Sequence, residues 1–125
     1  MKVLVVDDSR AMRSHLVRLL RGVGANCIEA ADGLLALERV EHDGPFDVVL
    51  LDYNMPNLDG PGFLDRVSRM PEAYDMKTLM VTSMTDQSFI VNALRAGADD
   101  YLMKPFTKEL LYEKLRLLDL DVPTA

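Results

Sequence analysis

Four short apolar runs in this chain each stop at a residue able to handle a phosphate or a metal. Val3 to Val6 ends at Asp7 and Asp8, Val48 to Leu51 at Asp52, Leu79 to Val81 at Thr82, and Tyr101 to Met103 at Lys104. A strand buried on both faces of a parallel sheet reads as an unbroken apolar run, and ligands of such sheets bind beyond the strands' carboxyl ends. Parallel pairing would therefore gather three acids, a hydroxyl and an ammonium along one edge.

The rest of the chain supplies the crossovers that parallel strands need. Periodicity predicts strands near 2–7, 26–31, 47–52, 77–83 and 99–103, and helices near 9–23, 33–42, 60–71, 86–96 and 107–118. Met12, Leu16, Leu19, Leu20 and Val23 form the apolar side of the first helix, and Gly22 or Gly24 can end it. In the fourth helix the stripe is Phe89, Ile90, Ala93 and Leu94, with Thr85 or Asp86 as cap and Gly97 as a left-handed stop. Leu111, Leu115 and Leu118 line the last helix, widened by Leu110 and Leu117, and Thr107 is placed to cap it. Five βα units in series imply an α/β fold, a doubly wound parallel sheet with helices on both faces.

With 125 residues, one domain is expected, over 1–119, with 120–125 as a frayed tail. A net charge of −6 opposes a nonspecific electrostatic grip on nucleic acid or anionic membrane. Arg10, Arg13, Arg18 and Arg21 form a basic stripe read as a solvated helix face rather than a partner site. The single Cys27 excludes an internal disulfide or a cysteine zinc site and is read as a buried thiol in a reducing compartment. No segment approaches the ~18 apolar residues of a membrane span, and the N-terminus is unlike a signal peptide, so cytoplasmic residence is the expectation. His15 and His42 are read as surface residues.

Asp7, Asp8 and Asp52 together make the oxygen-rich site that Mg²⁺ prefers. Capping of the first helix by Asp8-Ser9 explains neither Asp7 nor Asp52. At the end of a buried strand, Asp52 can serve both as metal ligand and as nucleophile toward phosphorus, forming an acyl phosphate. Lys104 can neutralise phosphoryl oxygens, or be an ordinary ion-pair partner of the aspartates; at rest the two readings coincide. Thr82 offers a hydroxyl to a phosphoryl oxygen. Tyr101 is either a switching aromatic or a simple cover for the sheet edge.

The segments 5–10 (VVDDSR), 50–56 (LLDYNMP), 80–83 (MVTS) and 97–106 (GADDYLMKPF) together resemble the receiver domain of bacterial two-component response regulators, in particular the stand-alone chemotaxis type. They span the chain in the family's order. The resemblance implies a flavodoxin-like receiver fold with strand order 2-1-3-4-5 and a Mg²⁺-dependent phosphoacceptor. It implies that Asp52 takes a phosphoryl group from a phosphohistidine, that Asp8 binds Mg²⁺ directly and Asp7 mainly through water, and that the Asn54 backbone carbonyl completes the protein ligands. Lys104 would pair with the phosphoryl group behind a cis Lys104-Pro105 bond, Thr82 would swing toward it, and Tyr101 would turn inward, altering the face of helix four, strand five and helix five. The implied partners are a sensor histidine kinase or phosphotransfer protein and a downstream protein effector, with a monomeric resting state and no direct contact with nucleic acid or membrane. Val91, Arg95, Tyr101, Leu111 and Tyr112 are the expected surface contributors.

The chain also departs from the family pattern. Ser83 follows Thr82 where Ala or Gly is usual; in receivers the positions held here by Asn54 and Met84 influence how water reaches the acyl phosphate, and Met84 cannot orient an attacking water, so a long-lived phosphoryl group is expected. Receivers of winged-helix transcription factors usually carry an arginine where the last helix here has Glu113, which weighs against a fragment of a DNA-binding regulator. An aspartyl phosphatase is the rival from another class, but a haloacid-dehalogenase-like enzyme would need an acid where Asn54 stands. A flavin-binding protein would need hydroxyl and amide donors that the loop 8–10 lacks. A switch, and not a turnover enzyme, is the expectation.

Overall fold

The computed structural model describes residues 1–83 and 87–123. Its sheet contains β1 (Lys2–Val6), β2 (Asn26–Ala30), β3 (Val48–Leu51), β4 (Lys77–Thr82) and β5 (Asp100–Met103). All neighbours pair in parallel, in the order β2-β1-β3-β4-β5. The helices are α1 (Arg10–Arg21), α2 (Gly33–Asp43), α3 (Gly60–Val67), α4 (Gln87–Ala96) and α5 (Lys108–Leu117). The expected architecture and strand order are thus present.

Period-two alternation sorts the strand side chains between two cores. Leu4, Val6, Val49, Leu51 and Met80 face α2, α3 and α4, where they meet Ala36, Val40, Phe63, Leu64, Val67 and Ala93. Val3, Val5, Val48, Leu50, Leu79, Val81 and Leu102 face α1 and α5, against Leu16, Val17, Leu20, Leu111 and Leu115. The unbroken apolar runs are the consequence of covering both faces.

Several local expectations change. The predicted third helix, 60–71, stops at Val67, and a 3-10 turn follows at Pro71–Ala73. Pro71 holds Met70 in extended backbone, at φ −101° and ψ 120°, which a helix cannot accommodate. Gly22 caps α1 in the right-handed region; of the two glycines offered as its stop, Gly24 has the positive φ, and Gly97 has the positive φ expected of it. The α4 cap expected at Thr85 or Asp86 lies outside the described residues. Leu117 is 66% exposed and Leu110 39%, so neither widens the buried stripe of α5, and Leu94, 44% exposed, falls outside that of α4. Cys27, on an edge strand, is only half-buried; burial nonetheless pushes its thiol up, against the lowering field of Arg21. His42 is exposed, while His15 is half-buried against the Phe106 ring. The expected frayed tail is packed as far as Val122, which is buried against the α1–α5 core beside Leu120. No helix among the described residues is long and apolar enough to cross a membrane.

Candidate functional site

β1 and β3 are hydrogen-bonded neighbours in register, Val6 beside Leu51, so the residues that follow them emerge together. The Asp52 N–H still donates to Val6 O at 2.9 Å, and the Asp7 N–H to Ala30 O at 3.2 Å. Asp7, Asp8 and Asp52 each place a carboxylate oxygen within 4.8 Å of the others. Asp7 is buried, Asp8 exposed, and the Asp52 side chain 12% exposed.

Asp7 is held at both carboxylate oxygens. Oδ1 accepts the Ser9 N–H at 2.8 Å and Oδ2 accepts Lys104 Nζ at 2.8 Å. Ser9 in turn caps α1, its Oγ accepting the Met12 N–H; of the Asp8-Ser9 pair weighed as a plain cap, Ser9 alone has that role, which leaves Asp8 for other work. The Asp7 main-chain oxygen accepts Arg13 Nη1 at 2.6 Å, and Arg13 Nε also reaches Glu29 at 3.3 Å. Arg13 therefore leaves the solvated stripe to which periodicity assigned it, while Arg10, Arg18 and Arg21 remain exposed. Its partner Glu29 is on β2, so no local pattern could have found the contact.

Asp52 Oδ1 accepts the Tyr53 N–H at 2.9 Å and lies 3.8 Å from Lys104 Nζ. Burial pushes the Asp52 pKa up to about 6, against the lowering field of Lys104; Asp7 and Asp8 add to the rise, and the Tyr53 N–H opposes it. Among the described residues one ammonium faces three carboxylates, so the cluster carries excess negative charge. Three hard oxygen donors this close suit a small divalent cation. A cation placed there would reverse the local field and favour ionised Asp52.

The chain leaving β3 is closed on itself by the start of α3. Gly60 N–H donates to Tyr53 O at 2.8 Å, and a Cβ on Gly60 would lie 2.7 Å from Asp52 O. Asn54 is exposed on the loop thus closed. The Tyr53 ring stands edge-on to Phe89 of α4, with centroids 5.2 Å apart.

β4 and β5 complete the edge. Thr82 is buried at the end of β4, and its main-chain oxygen accepts the Lys104 N–H at 2.9 Å. The Lys104–Pro105 bond is cis, as is Gly44–Pro45, which nothing in the sequence suggested. Tyr101 is half-buried, with Lys114 Nζ 5.0 Å from its ring centroid and 3.0 Å from Asp100 Oδ1. Of the expected surface contributors, Val91 and Arg95 are exposed. Leu111 is instead fully buried in the core, and Tyr112 is half-buried with its hydroxyl donating to Leu19 O of α1 at 2.7 Å. The i, i+4 spacing of Leu111 and Leu115 directs both into the sheet. Met84 lies outside the described residues.

A family model described as the response regulator receiver domain matches residues 3–116. The chain is 40% identical over 116 residues to the chemotaxis protein CheY of Pseudomonas aeruginosa, covering 92% of this chain and 93% of that one. It superposes on the structure of the chemotaxis response regulator CheY4 of Vibrio cholerae with a TM-score of 0.86 and 33% identity, over 94% of this chain and 97% of that one. The receiver domain of a Pseudomonas aeruginosa sensor histidine kinase is similar at a TM-score of 0.84 and 28% identity, over 94% and 97% of the two chains; its structure is described with a magnesium ion coordinated in the active site cleft.

Proposed function

The chain belongs to the response regulator receiver family of two-component signalling, and from that premise we propose that it is a Mg²⁺-dependent phosphoacceptor switch with Asp52 as the acceptor. The supporting observation is the placement of Asp52 itself: a mostly buried carboxylate beside two other acids, with the Lys104 ammonium 3.8 Å away. In the transfer, an Asp52 carboxylate oxygen forms a bond to phosphorus while the P–N bond of a phosphohistidine breaks. The released electron pair returns to the imidazole nitrogen.

Asp8 directly, Asp7 mainly through water, Asp52 and the Asn54 main-chain oxygen would hold Mg²⁺, which when bound neutralises charge on the phosphoryl oxygens. Lys104, released from part of its pairing with Asp7, stabilises the same oxygens from the other side. The phosphoryl group adds roughly 1.5 to 2 negative charges, enough to bias a local equilibrium in which Thr82 moves toward it and Tyr101 turns inward. The output face is then that of α4, β5 and α5, with Val91 and Arg95 accessible on it.

This reading includes a histidine kinase or phosphotransfer protein as donor, a downstream protein as effector, a monomeric resting state and a cytoplasmic site of action. Residues 1–119 would act as one receiver unit. The chemistry is one self-modification and its slow reversal, not turnover of a substrate. Acetyl phosphate with Mg²⁺ should add one phosphoryl group to the wild type and none to Asp52→Asn, read by intact mass. Equal labelling of the two proteins would refute the assignment of Asp52.

A further inference from the structure

Asp32, 8% exposed, is not one of the three clustered acids and uses both of its carboxylate oxygens. It is the N-cap of α2, and Oδ1 accepts the Leu35 N–H at 2.9 Å. That bond alone meets the needs of a cap. Oδ2 accepts Asn57 Nδ2 at 2.8 Å, a partner 25 residues away in the loop between β3 and α3. The Leu35 N–H is the main cause holding the Asp32 carboxyl below its ordinary range, ahead of burial, which opposes it, and of the Asn57 amide, which assists. Asp32 is therefore ionised at neutral pH, and its bond to Asn57 is charge-assisted.

The loop is anchored at three places. At its base the Gly60 N–H closes on Tyr53 O; in its middle Met55 is buried in the α2–α3–α4 core. At its tip, the Asn57–Asp32 bond is joined by a main-chain bond from the Gly33 N–H to Leu58 O at 3.1 Å. Asn57 stands at φ 68°, a left-handed conformation that Asn tolerates better than most residues. Since β1 lies between β2 and β3, a tie from the β3–α3 loop to the β2–α2 corner links the strands on either side of Asp7 and Asp8. The loop runs from Asp52 through Asn54 before it reaches this tie.

We propose that Asp32 and Asn57 form a strap that positions the 52–59 loop, and with it the main-chain oxygen of Asn54, for cation binding beside Asp7, Asp8 and Asp52. Both are positioning residues, and the inference rests on the phosphoacceptor reading above. A ligand on a loop already fixed loses less freedom on binding than one on a loop that must be ordered. Residues that orient metal ligands without touching the metal commonly change affinity by 10- to 100-fold.

The test is Mg²⁺ titration of the full chain by calorimetry, with thermal melting of each variant. Asn57→Gly keeps the positive φ available while removing the amide, and should bind Mg²⁺ about tenfold more weakly than the wild type. The exchange Asp32→Asn with Asn57→Asp rebuilds an amide–carboxylate pair at constant net charge, with a capping residue retained at position 32, and should return affinity to within about twofold. Wild-type affinity in Asn57→Gly, or affinity that stays low in the exchange variant, would overturn the strap. If acetyl phosphate still labels Asp52 in such a case, the strap fails alone. A wild type that neither binds Mg²⁺ nor takes up a phosphoryl group overturns the phosphoacceptor reading and the strap with it.

Discussion

The two halves of the sheet's carboxyl edge are held by different kinds of contact. On the β1–β3 side, Asp7 is fixed through both carboxylate oxygens and its main-chain oxygen, and Asp52 by the Tyr53 N–H, all at 2.6 to 2.9 Å. On the β4–β5 side, Tyr101 is half-buried beneath the long, rotatable side chain of Lys114, whose Nζ is 5.0 Å from the ring centroid and also pairs with Asp100. Short bonds to buried carboxylates specify one geometry. An amphipathic ring under a flexible cation has acceptable alternatives. The edge thus joins a site built to be rigid to a side chain that can respond to it.

The largest expected effect breaks the rigid side. Lys104→Met leaves Asp7, 2% exposed at its side chain, without its cation, and removing one partner of a buried pair costs about 3 kcal/mol or more. Urea unfolding in the presence of a chelator should show this loss; a change below about 1 kcal/mol would mean that the pair holds nothing in place.

The next effect has the opposite sign. The Asp52 pKa is raised to about 6, so the fold binds this proton more tightly than the unfolded chain does. Its contribution to stability is present below the unfolded pKa and is lost as pH rises through about 6. Asp52→Asn should therefore stabilise the cation-free protein at pH 7 to 8 by about 2 kcal/mol, allowing for part-screening by solvent at about 1.4 kcal/mol per unit. The gain should shrink toward zero near pH 4. A gain independent of pH would show that the carboxylate's charge is not its source.

The smallest effect falls on the responsive side. Lys114→Met removes a part-exposed ion pair and the cation above Tyr101, each worth about 0.5 to 1 kcal/mol. Stability should fall by about 1 kcal/mol while Mg²⁺ affinity stays at the wild-type value. A Mg²⁺ affinity disturbed as strongly as in Asn57→Gly would erase the distinction between the two sides.

Periodicity made most of the fold legible, because a parallel strand covered on both faces leaves a continuous apolar run and an amphipathic helix leaves a stripe. It failed where a stripe was judged too wide. Leu117 looks apolar in sequence yet is 66% exposed, since α5 is covered along only one line, through Leu111 and Leu115. The acid cluster was legible because three carboxylates end two adjacent strands. Arg13 was not, because a helical stripe does not reveal which arginine lies over the neighbouring strand.

Taken alone, the sequence determined the α/β class and the chemistry placed at each strand end. It also determined the family, through motifs whose order follows the strands. Tertiary structure decided which of those groups are bound to one another. Asp7 meets Lys104 across 97 residues and Asp32 meets Asn57 across 25, and each contact depends on the angle and reach of two side chains brought together by the sheet. Hydrophobic burial depends on area and leaves a pattern in sequence, whereas a hydrogen bond depends on direction, which is set only when the chain is folded.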